Sequence, residues 1–484
     1  MKDISAEEQL IKLAYRRRYA EHSRVYQMAK VYLFSPSSGL FACPLAMTDG
    51  AAKTLEGFRS PELATAFERL SSASPDKFWT SGQWMTEKRG GSDVGGGTET
   101  VAVPAPDGSY RLYGYKWFSS ASDSDVSLSL ARSLDEQGQP VPGSRGLSMY
   151  FLETRRPDGK LNNMQVVRLK NKLGTRQLPT AELQLNGTVA HRVGDQGRGV
   201  ASISAMLTLT RVHNAVNSVA SMRRILQLAR DYSRRRVAFG RRLCDWPLHV
   251  RTLAHMEVET RGCLALVLHI VSLLGRQDAG VAGDRDTLLL RLLTPICKLY
   301  TAKRAVSVTS EGLESFGGQG YIEDTGIPRL LRDAQVYPVW EGTTNVLSLD
   351  VLRALAKSRG EAWTALTSDV TERLLPAAAA IDSLRPITEK VKNILNDVGN
   401  ILKKQDSSLE VSARDLSFTI ANTYICALLC HHAAAPDADD EDRTVALRWA
   451  DREMAPLLAR RRPDRADESR DELRLVMAGY ETDD

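Results

Sequence analysis

Paired cysteines, long apolar runs and a dominant charge are all scarce in this chain of 484 residues. No apolar stretch comes near the roughly 20 residues that a membrane helix needs, so we expect no integral membrane protein. The six cysteines are scattered, with no CxxC pair and no histidine at metal-ligand spacing, which predicts free thiols in a reducing compartment and no metal site. A net charge of +5 is small for this length; it leaves anionic ligands open and excludes the strong basic excess of a typical nucleic-acid-binding protein.

The first twenty residues also lack a recognisable targeting signal. They contain no apolar secretory core, and Asp3, Glu7 and Glu8 make them too acidic for a mitochondrial presequence. The sequence begins as though inside a helix. We expect an intracellular protein, and the sequence does not distinguish the cytoplasm from the mitochondrion.

The composition is that of a globular protein, 43% hydrophobic and 25% charged, and the length predicts two to four domains. Apolar residues recur with helical period up to about residue 70, with a loop at SPSSG. Short β-branched and aromatic runs follow, and a Pro-Asp-Gly turn between two of them predicts a hairpin. Beyond Gly199 the helical period returns. The predicted fold class is α+β, with a helical domain at 1–77, a β barrel or sandwich at 78–197, a helical bundle at 198–356 and a helical extension at 357–484.

Three glycine-rich segments have compositions that packing alone does not require. The first, WMTEKRGGSDVGGG at 84–97, places glycines beside hydroxyl side chains, so its backbone could run close to a ligand; a plain surface turn is an equally good interpretation. Neither the Walker nor the dinucleotide fingerprint is present. The second, ESFGGQGY at 314–321, follows a helix and leads to Arg329 and Asp333.

The third segment, VWEGTTN at 339–345, contains an acid between a tryptophan and a glycine turn. Partial desolvation there would raise the pKa of the Glu341 carboxyl and make it a usable base. The residues alone favour equally an acidic N-cap for the helix that begins near Asn345.

Taken together, the three segments resemble the acyl-CoA dehydrogenase family of flavin enzymes. MTEKRGGSD matches the first family signature, the run from Glu314 to Asp333 matches the second at every fixed position, and WEGTTN lies where the family has its catalytic Glu-Gly-Thr. The resemblance covers about residues 40 to 355 and is strongest to the AidB-like branch, with a G-x-K-W-F strand, RVAFGRRL-like and TRxxxA-like helices and a helical C-terminal module. It implies an α–β–α fold and an FAD cofactor.

The resemblance also implies a set of site residues. Glu341 would take the α proton of a fatty acyl-CoA of medium to long chain, while FAD accepts the hydride from the β carbon. The implied cofactor contacts are Met85, Thr86, Gly91, Ser92, Phe118, Ser120, Arg236, Phe239, Gly317, Gly318, Trp340, Thr343 and Asn345, and the implied substrate contacts are Ser92, Arg211 and Glu341. Arg236 and Phe239 would reach the cofactor of a neighbouring subunit, which implies a homotetramer or homodimer.

Several of these residues have ordinary structural alternatives. Phe118 on an alternating strand could belong to the core, Met85 could only fill space, and the arginine run around Arg236 could be a solvated basic face. The sequence also departs from the family pattern at Trp84, where a small residue is common, and at Glu314, Asn345 and Pro247, where glutamine is common. Only about 80 residues precede the first signature, so we expect part of the N-terminal helical domain to be missing.

Three functions follow from the resemblance. The leading one is an FAD-dependent acyl-CoA dehydrogenase that passes electrons to an electron-transfer flavoprotein or another acceptor. The second is a flavin-containing protein that binds or sequesters acyl-CoA with little turnover. The third, an AidB-like DNA-binding flavoprotein, is disfavoured because acidic residues outnumber basic ones by 22 to 16 from residue 371 onwards.

Overall fold

The N-terminal part of the chain is helical in the computed structural model, which describes residues 1–58, 60–404, 408–454 and 468–478. Its helices are α1 (Lys2–Glu7), α2 (Lys12–Arg16), α3 (Ser23–Phe34), α4 (Ala42–Leu55) and α5 (Pro61–Leu70), with 3₁₀ turns at Ala20–His22 and Ser35–Ser37. The second of these turns occupies the predicted SPSSG loop. Helix α4 is buried along almost its whole length, because its apolar and small residues face neighbours on all sides.

A seven-stranded sheet follows and closes into a barrel. Its strands are β1 (Ser81–Trp84), β2 (Val101–Pro104), β3 (Tyr110–Ser120), β4 (Val126–Ser133), β5 (Leu147–Glu153), β6 (Met164–Leu169) and β7 (Thr180–Val193), with a one-turn helix α6 (Val94–Gly97) after β1 and a 3₁₀ turn at Ser144–Gly146. The pairing runs β4–β2–β3–β7–β5 and returns from β5 to β4, while β1 adds to β4 and β6 to β7. Strands β2 and β3 form the predicted hairpin about the Pro-Asp-Gly turn. Of the two predicted forms, the structure therefore has the barrel.

Two buried contacts involve residues of the first glycine-rich segment. A Cβ atom on Gly82 would lie 2.5 Å from Trp84 Nε1, so the glycine makes room for the unusual tryptophan. Lys116 Nζ lies 2.6 Å from Glu87 Oε1, with both side chains almost fully buried. Burial alone would raise the pKa of Glu87, but the Lys116 charge and the hydrogen bonds from Lys116, Thr100 and the Glu99 amide hold it below its usual range.

Helices return after the barrel and continue to the end of the described chain. They are α7 (Gly199–Arg235), α8 (Pro247–Asp278), α9 (Asp284–Glu314), α10 (Ile327–Ala334), α11 (Thr344–Lys357), α12 (Glu361–Ser368), α13 (Pro376–Ala379), α14 (Arg385–Lys404), α15 (Ser408–Val411), α16 (Ala413–Ala433), α17 (Asp440–Glu453) and α18 (Glu468–Met477). Further 3₁₀ turns lie at Leu243–Asp245, Gly317–Tyr321 and Glu323–Thr325, and a π-helical turn lies at Asp369–Leu374. The predicted order of helices, β domain and helices, with an additional helical module, is confirmed.

The segment RVAFGRRL is not helical, contrary to expectation. A two-stranded hairpin, β8 (Val237–Ala238) with β9 (Arg241–Arg242), interrupts the helices there. Phe239 and Gly240 form its tip with φ of +50° and +77°. A left-handed backbone at two successive residues is the geometry of a tight hairpin turn, for which the glycine is suited.

The chain divides into two compact units. The first comprises 1–256, 267–282 and 301–342, and the second comprises 257–266, 283–300 and 343–484. In the first, Asp49 of α4 accepts hydrogen bonds from Arg24 of α3 at 2.9 Å and lies 2.8 Å from His213 Nε2 of α7. Burial opposes ionisation of Asp49, but the Arg24 charge and these hydrogen bonds hold its pKa below its usual range. This buried network fixes α4 against α7.

The second unit has a core of its own. Trp449 of α17 packs on Gly262 of α8 so closely that a Cβ atom on the glycine would lie 2.3 Å from the indole ring. The Trp449 Nε1 atom donates to the Asn422 carbonyl at 3.1 Å, and the ring of Tyr300 lies 6.4 Å from the indole. Residues of α8 and α9 thus share one core with the C-terminal helices.

Helix α8 corrects the expectation about apolar runs. Among the described residues it is the one helix long and apolar enough to cross a membrane, but 67% of its most apolar stretch is buried. A core helix passes the same test of length and composition.

Candidate active site

Glu341 lies in a strained turn between α10 and α11, where two residues of α7 hold it. Its φ is +59°, a left-handed value that costs a residue with a Cβ atom about 1 kcal/mol or more. Thr210 Oγ1 of α7 donates to Glu341 Oε2 at 2.7 Å, and Arg211 Nε donates to the Glu341 carbonyl at 3.2 Å. Consecutive residues of α7 therefore fix both the carboxylate and the backbone of this acid.

The alternative that Glu341 caps the following helix is wrong. The N-cap of α11 is Thr343, whose side chain accepts a hydrogen bond from the Val346 amide. A β-region threonine with its hydroxyl at the amide three residues on is the usual N-cap geometry. The Glu341 carboxylate instead accepts a hydrogen bond from Thr210 of α7.

An apolar cluster occupies the surroundings of Glu341. It joins Cys43 and Met47 of α4 to Ala121 after β3 and Leu178 before β7, with the partly buried Leu40 and Trp340 packed against it. Burial, and secondarily the Glu341 charge, raises the pKa of the Cys43 thiol to about 12. The thiol therefore stays protonated near neutral pH and acts as an apolar wall beside the acid.

Lys172 connects this cluster to the barrel. Its Nζ donates to the Leu178 carbonyl at 3.0 Å and to Thr180 Oγ1 at 2.8 Å, and Thr180 Oγ1 lies 3.0 Å from Ser120 Oγ. Burial lowers the Lys172 pKa, with the neighbouring Cys43 and Asp333 opposing. The implied cofactor contact Ser120 is thus linked by hydrogen bonds to the surroundings of Cys43.

The first signature and the KWFSS strand lie together. The Trp117 amide donates to the Thr86 carbonyl at 2.9 Å, and Trp84 Nε1 donates to the Ser120 carbonyl at 3.1 Å. Phe118 is 52% exposed, so its alternative as a core residue is wrong for this chain. Gly91 and Ser92 are exposed and Thr86 is half-buried.

Met85 differs from these neighbours. It is only 6% exposed and belongs to the large core cluster shared by the N-terminal helices and the barrel. The Met85 side chain therefore fills space in the core, as the structural alternative expected. A contact from the Met85 backbone to a cofactor stays a prediction.

A second group of implied residues surrounds a pocket of about 620 Å³ in the first unit. Arg236 at the end of α7 lines it together with Gly317 and Gly318, and Gly317 has a φ of +59°. No atom lies within 4 Å of a Cβ built on either glycine, so both leave their backbone open to a ligand. Glu314 also lines the pocket.

Phe239 lies outside that pocket lining, at the hairpin tip, with 94% of its side chain exposed. Thr343 and Asn345 lie in the second unit, where Arg414 Nη1 of α16 donates to Asn345 Oδ1 at 3.3 Å. The last acid of the second signature, Asp333, accepts from the Thr175 amide at 2.6 Å. Asp333 thus anchors a loop of the barrel, which is a structural role.

Sequence reasoning missed Cys43, Lys172 and Thr210. Thr210 adjoins Arg211 in the TRxxxA pattern and could have been considered with it. Cys43 and Lys172 carry no local signal, because Cys43 comes near Glu341, and Lys172 near Cys43, only when α4 and the barrel pack together.

Comparison with known proteins identifies the family to which this chain belongs. Family models described as acyl-CoA dehydrogenase, middle domain, acyl-CoA dehydrogenase, C-terminal domain, and acyl-CoA dehydrogenase 11 C-terminal domain-like match residues 82–188, 197–356 and 361–477. Acyl-CoA dehydrogenase family member 11 of Caenorhabditis elegans is 52% identical over 462 residues, which is 93% of this chain and 75% of that relative. The chain belongs to the acyl-CoA dehydrogenase family.

Further similarities agree with this assignment. The crystal structure of C. elegans ACDH-11 in complex with C11-CoA matches with a TM-score of 0.96 at 48% identity, covering 99% of this chain and 83% of that one. The putative acyl-CoA dehydrogenase AidB of Escherichia coli is 35% identical, over 66% of this chain and 58% of the relative. The protein is accordingly an FAD-dependent oxidoreductase that acts on acyl-CoA, with the fold of this family and an added C-terminal helical domain.

The residues present fit a flavin dinucleotide. An exposed aromatic ring and hydroxyl groups lie near the barrel strands, and Arg236 supplies a guanidinium for a phosphate. In the same pocket, His249 Nε2 is buried without a hydrogen-bond partner, so it is available to a bound ligand. In the part of the chain that the structure describes, no cluster of three or more His, Cys, Asp or Glu could hold a metal.

Proposed function

We propose that this protein catalyses the α,β-dehydrogenation of a fatty acyl-CoA of medium to long chain, with Glu341 as the base. The observation that carries the proposal is the position of the Glu341 carboxylate, fixed by Thr210 at 2.7 Å and bordered by the apolar cluster around Cys43. An acyl-CoA fits this arrangement, because the apolar surface can contact the acyl chain while the carboxylate accepts the proton of the α carbon.

The chain prepares Glu341 for proton removal in two ways. The Arg211 hydrogen bond to its carbonyl and the left-handed turn fix where the side chain begins, and the Thr210 hydroxyl fixes one carboxylate oxygen. Holding a base in the attacking geometry lowers the entropic part of the barrier. The α proton of the thioester then passes to the Glu341 carboxylate.

The remaining residues exclude water and orient the reactants. Bound FAD supplies the two-electron acceptor for the hydride that leaves the β carbon. Phe118 provides an exposed aromatic face beside the Ser120 hydroxyl, and Arg211 and Ser92 are proposed substrate contacts. Cys43, Met47 and Trp340 belong to the apolar cluster near the acid, and this surface would exclude solvent from the reacting carbons of a bound acyl chain.

Other finer features belong to the same proposal. The C. elegans relative binds C11-CoA, which supports a medium to long acyl chain here. The exposed Phe239 and the arginine-rich hairpin support a homotetramer or homodimer in which Arg236 and Phe239 meet a neighbouring subunit's cofactor. An electron-transfer flavoprotein is the proposed acceptor, and the four segments predicted from the sequence are the proposed domains.

The experiment is to purify the protein with its flavin and add saturated acyl-CoAs of increasing length without an acceptor. Dehydrogenation bleaches the flavin absorbance, and the length that bleaches it fastest identifies the substrate class. Tight acyl-CoA binding without bleaching would replace the proposal by the sequestering function. A DNA gel shift that persists at physiological salt would favour the third function instead.

A further inference from the structure

The pocket beside Arg236 contains a polar atom that neither the family pattern nor the chain's own contacts account for. His249 Nε2 is buried and has no hydrogen-bond partner, and His249 lines the pocket with Arg236, Gly317 and Gly318. A buried polar atom without a partner is unfavourable, and a ligand that satisfies it gains affinity from the contact.

The position of His249 and the charge of its neighbours bear on what this atom binds. His249 lies at the start of α8, and its side chain lines the pocket. Glu314 also lines this pocket, so an anionic ligand needs donors to offset its charge.

We infer that His249 binds, through Nε2, the adenosine diphosphate half of the FAD that Arg236 contacts. The inference rests on the proposed function, in which Arg236 meets a cofactor, and on Gly317 and Gly318, the implied cofactor contacts that line the same pocket. His249 is a binding residue in this account and takes no part in the proton or hydride transfer.

Burial lowers the pKa of His249, so the imidazole is neutral near pH 7. A neutral imidazole can be replaced by a side-chain amide without changing charge. The amide nitrogen of glutamine reaches about as far as Nε2, whereas that of asparagine ends nearer to Nδ1. His249→Gln and His249→Asn are therefore a matched pair that separates the position of the donor from its presence.

The test measures FAD binding to the deflavinated full-length protein by fluorescence titration, with ADP as a competitor. We expect His249→Leu and His249→Asn to weaken FAD and ADP by about tenfold, the value of one hydrogen bond to a charged group, and His249→Gln to restore most of the affinity. His22→Leu, at an exposed histidine of the N-terminal helices, is the control for loss of an imidazole. Gel filtration of each variant verifies that the assembly is unchanged.

The outcomes separate this inference from the proposed function. If Arg236→Ala weakens ADP binding and His249→Leu does not, the pocket holds the nucleotide and the role of His249 is refuted. If neither substitution changes ADP binding, the placement of the cofactor in this pocket fails, and the inference fails with it. In that case acyl-CoA would still bleach the flavin if Glu341 is the base.

Discussion

The hydrogen bond between Thr210 and Glu341 yields the sharpest mechanistic prediction. Thr210→Val keeps the shape of the side chain and removes the hydroxyl that lies 2.7 Å from Glu341 Oε2. Because Thr210 is only 3% exposed, water has little access to replace the lost donor. The lost hydrogen bond leaves the carboxylate free to rotate away from the α proton, and misplacing a reacting group by about 1 Å can cost about 100-fold, so we expect the rate of flavin reduction to fall by about 10- to 100-fold.

A conservative variant gives this prediction a second readout. Thr210→Ser keeps the donor and should behave like the parent.

The assay is stopped-flow reduction of the flavin at saturating acyl-CoA. Thr208→Val, two residues earlier on α7, is the matched control because its hydroxyl bonds only to the Ser204 carbonyl among the contacts given for it. An unchanged rate in Thr210→Val would refute the role of this hydrogen bond.

Three further predictions concern stability and reactivity. Lys116→Met should destabilise the barrel by about 3–5 kcal/mol in thermal denaturation, since it leaves a buried carboxylate without its cation, and an unchanged melting temperature would contradict this. Gly262→Ala should destabilise the protein by about 1–3 kcal/mol, because the added methyl group would overlap the Trp449 ring. Gly283→Ala is the control, because a methyl group there has no atom within 4 Å. Equal destabilisation by the two substitutions would argue against the shared core. At pH 8, iodoacetamide should label the half-exposed Cys244 and spare Cys43, because burial raises the pKa of the Cys43 thiol to about 12. Mass spectrometry reads the labelling, and rapid labelling of Cys43 in the native protein would contradict the prediction.

Local patterns were sufficient to predict the order of the elements. Alternating β-branched and aromatic residues about a Pro-Asp-Gly turn predict the β2–β3 hairpin, because strand period and turn chemistry are properties of a few neighbouring residues. The choice between barrel and sandwich required the pairing of β5 with both β4 and β7, which no local pattern contains.

The RVAFG segment shows the limit of analogy. The resemblance implies a helix at RVAFGRRL, yet two left-handed residues at Phe239 and Gly240 turn the chain into a hairpin. Gly240 is the local sign of that turn.

The candidate site was predictable only in its acid and its loops. Glu341 and Arg211 stand in recognisable motifs, and the structure brings them into direct contact. Thr210, Cys43 and His249 become relevant through packing between α4, α7, α8 and the barrel, which distant parts of the chain build together. Side chains that position or cover a reactive group are therefore the part of a site that sequence patterns describe least well.

The central claim is that Glu341 is the base that begins acyl-CoA oxidation, and one measurement tests it directly. The flavin absorbance of the parent protein and of Glu341→Gln is recorded during anaerobic addition of the preferred acyl-CoA, after both are shown to bind flavin and ligand equally. The account predicts rapid bleaching in the parent and a loss of at least about a thousandfold in the variant, since an amide cannot accept the α proton. Bleaching at the parent's rate in Glu341→Gln would contradict it.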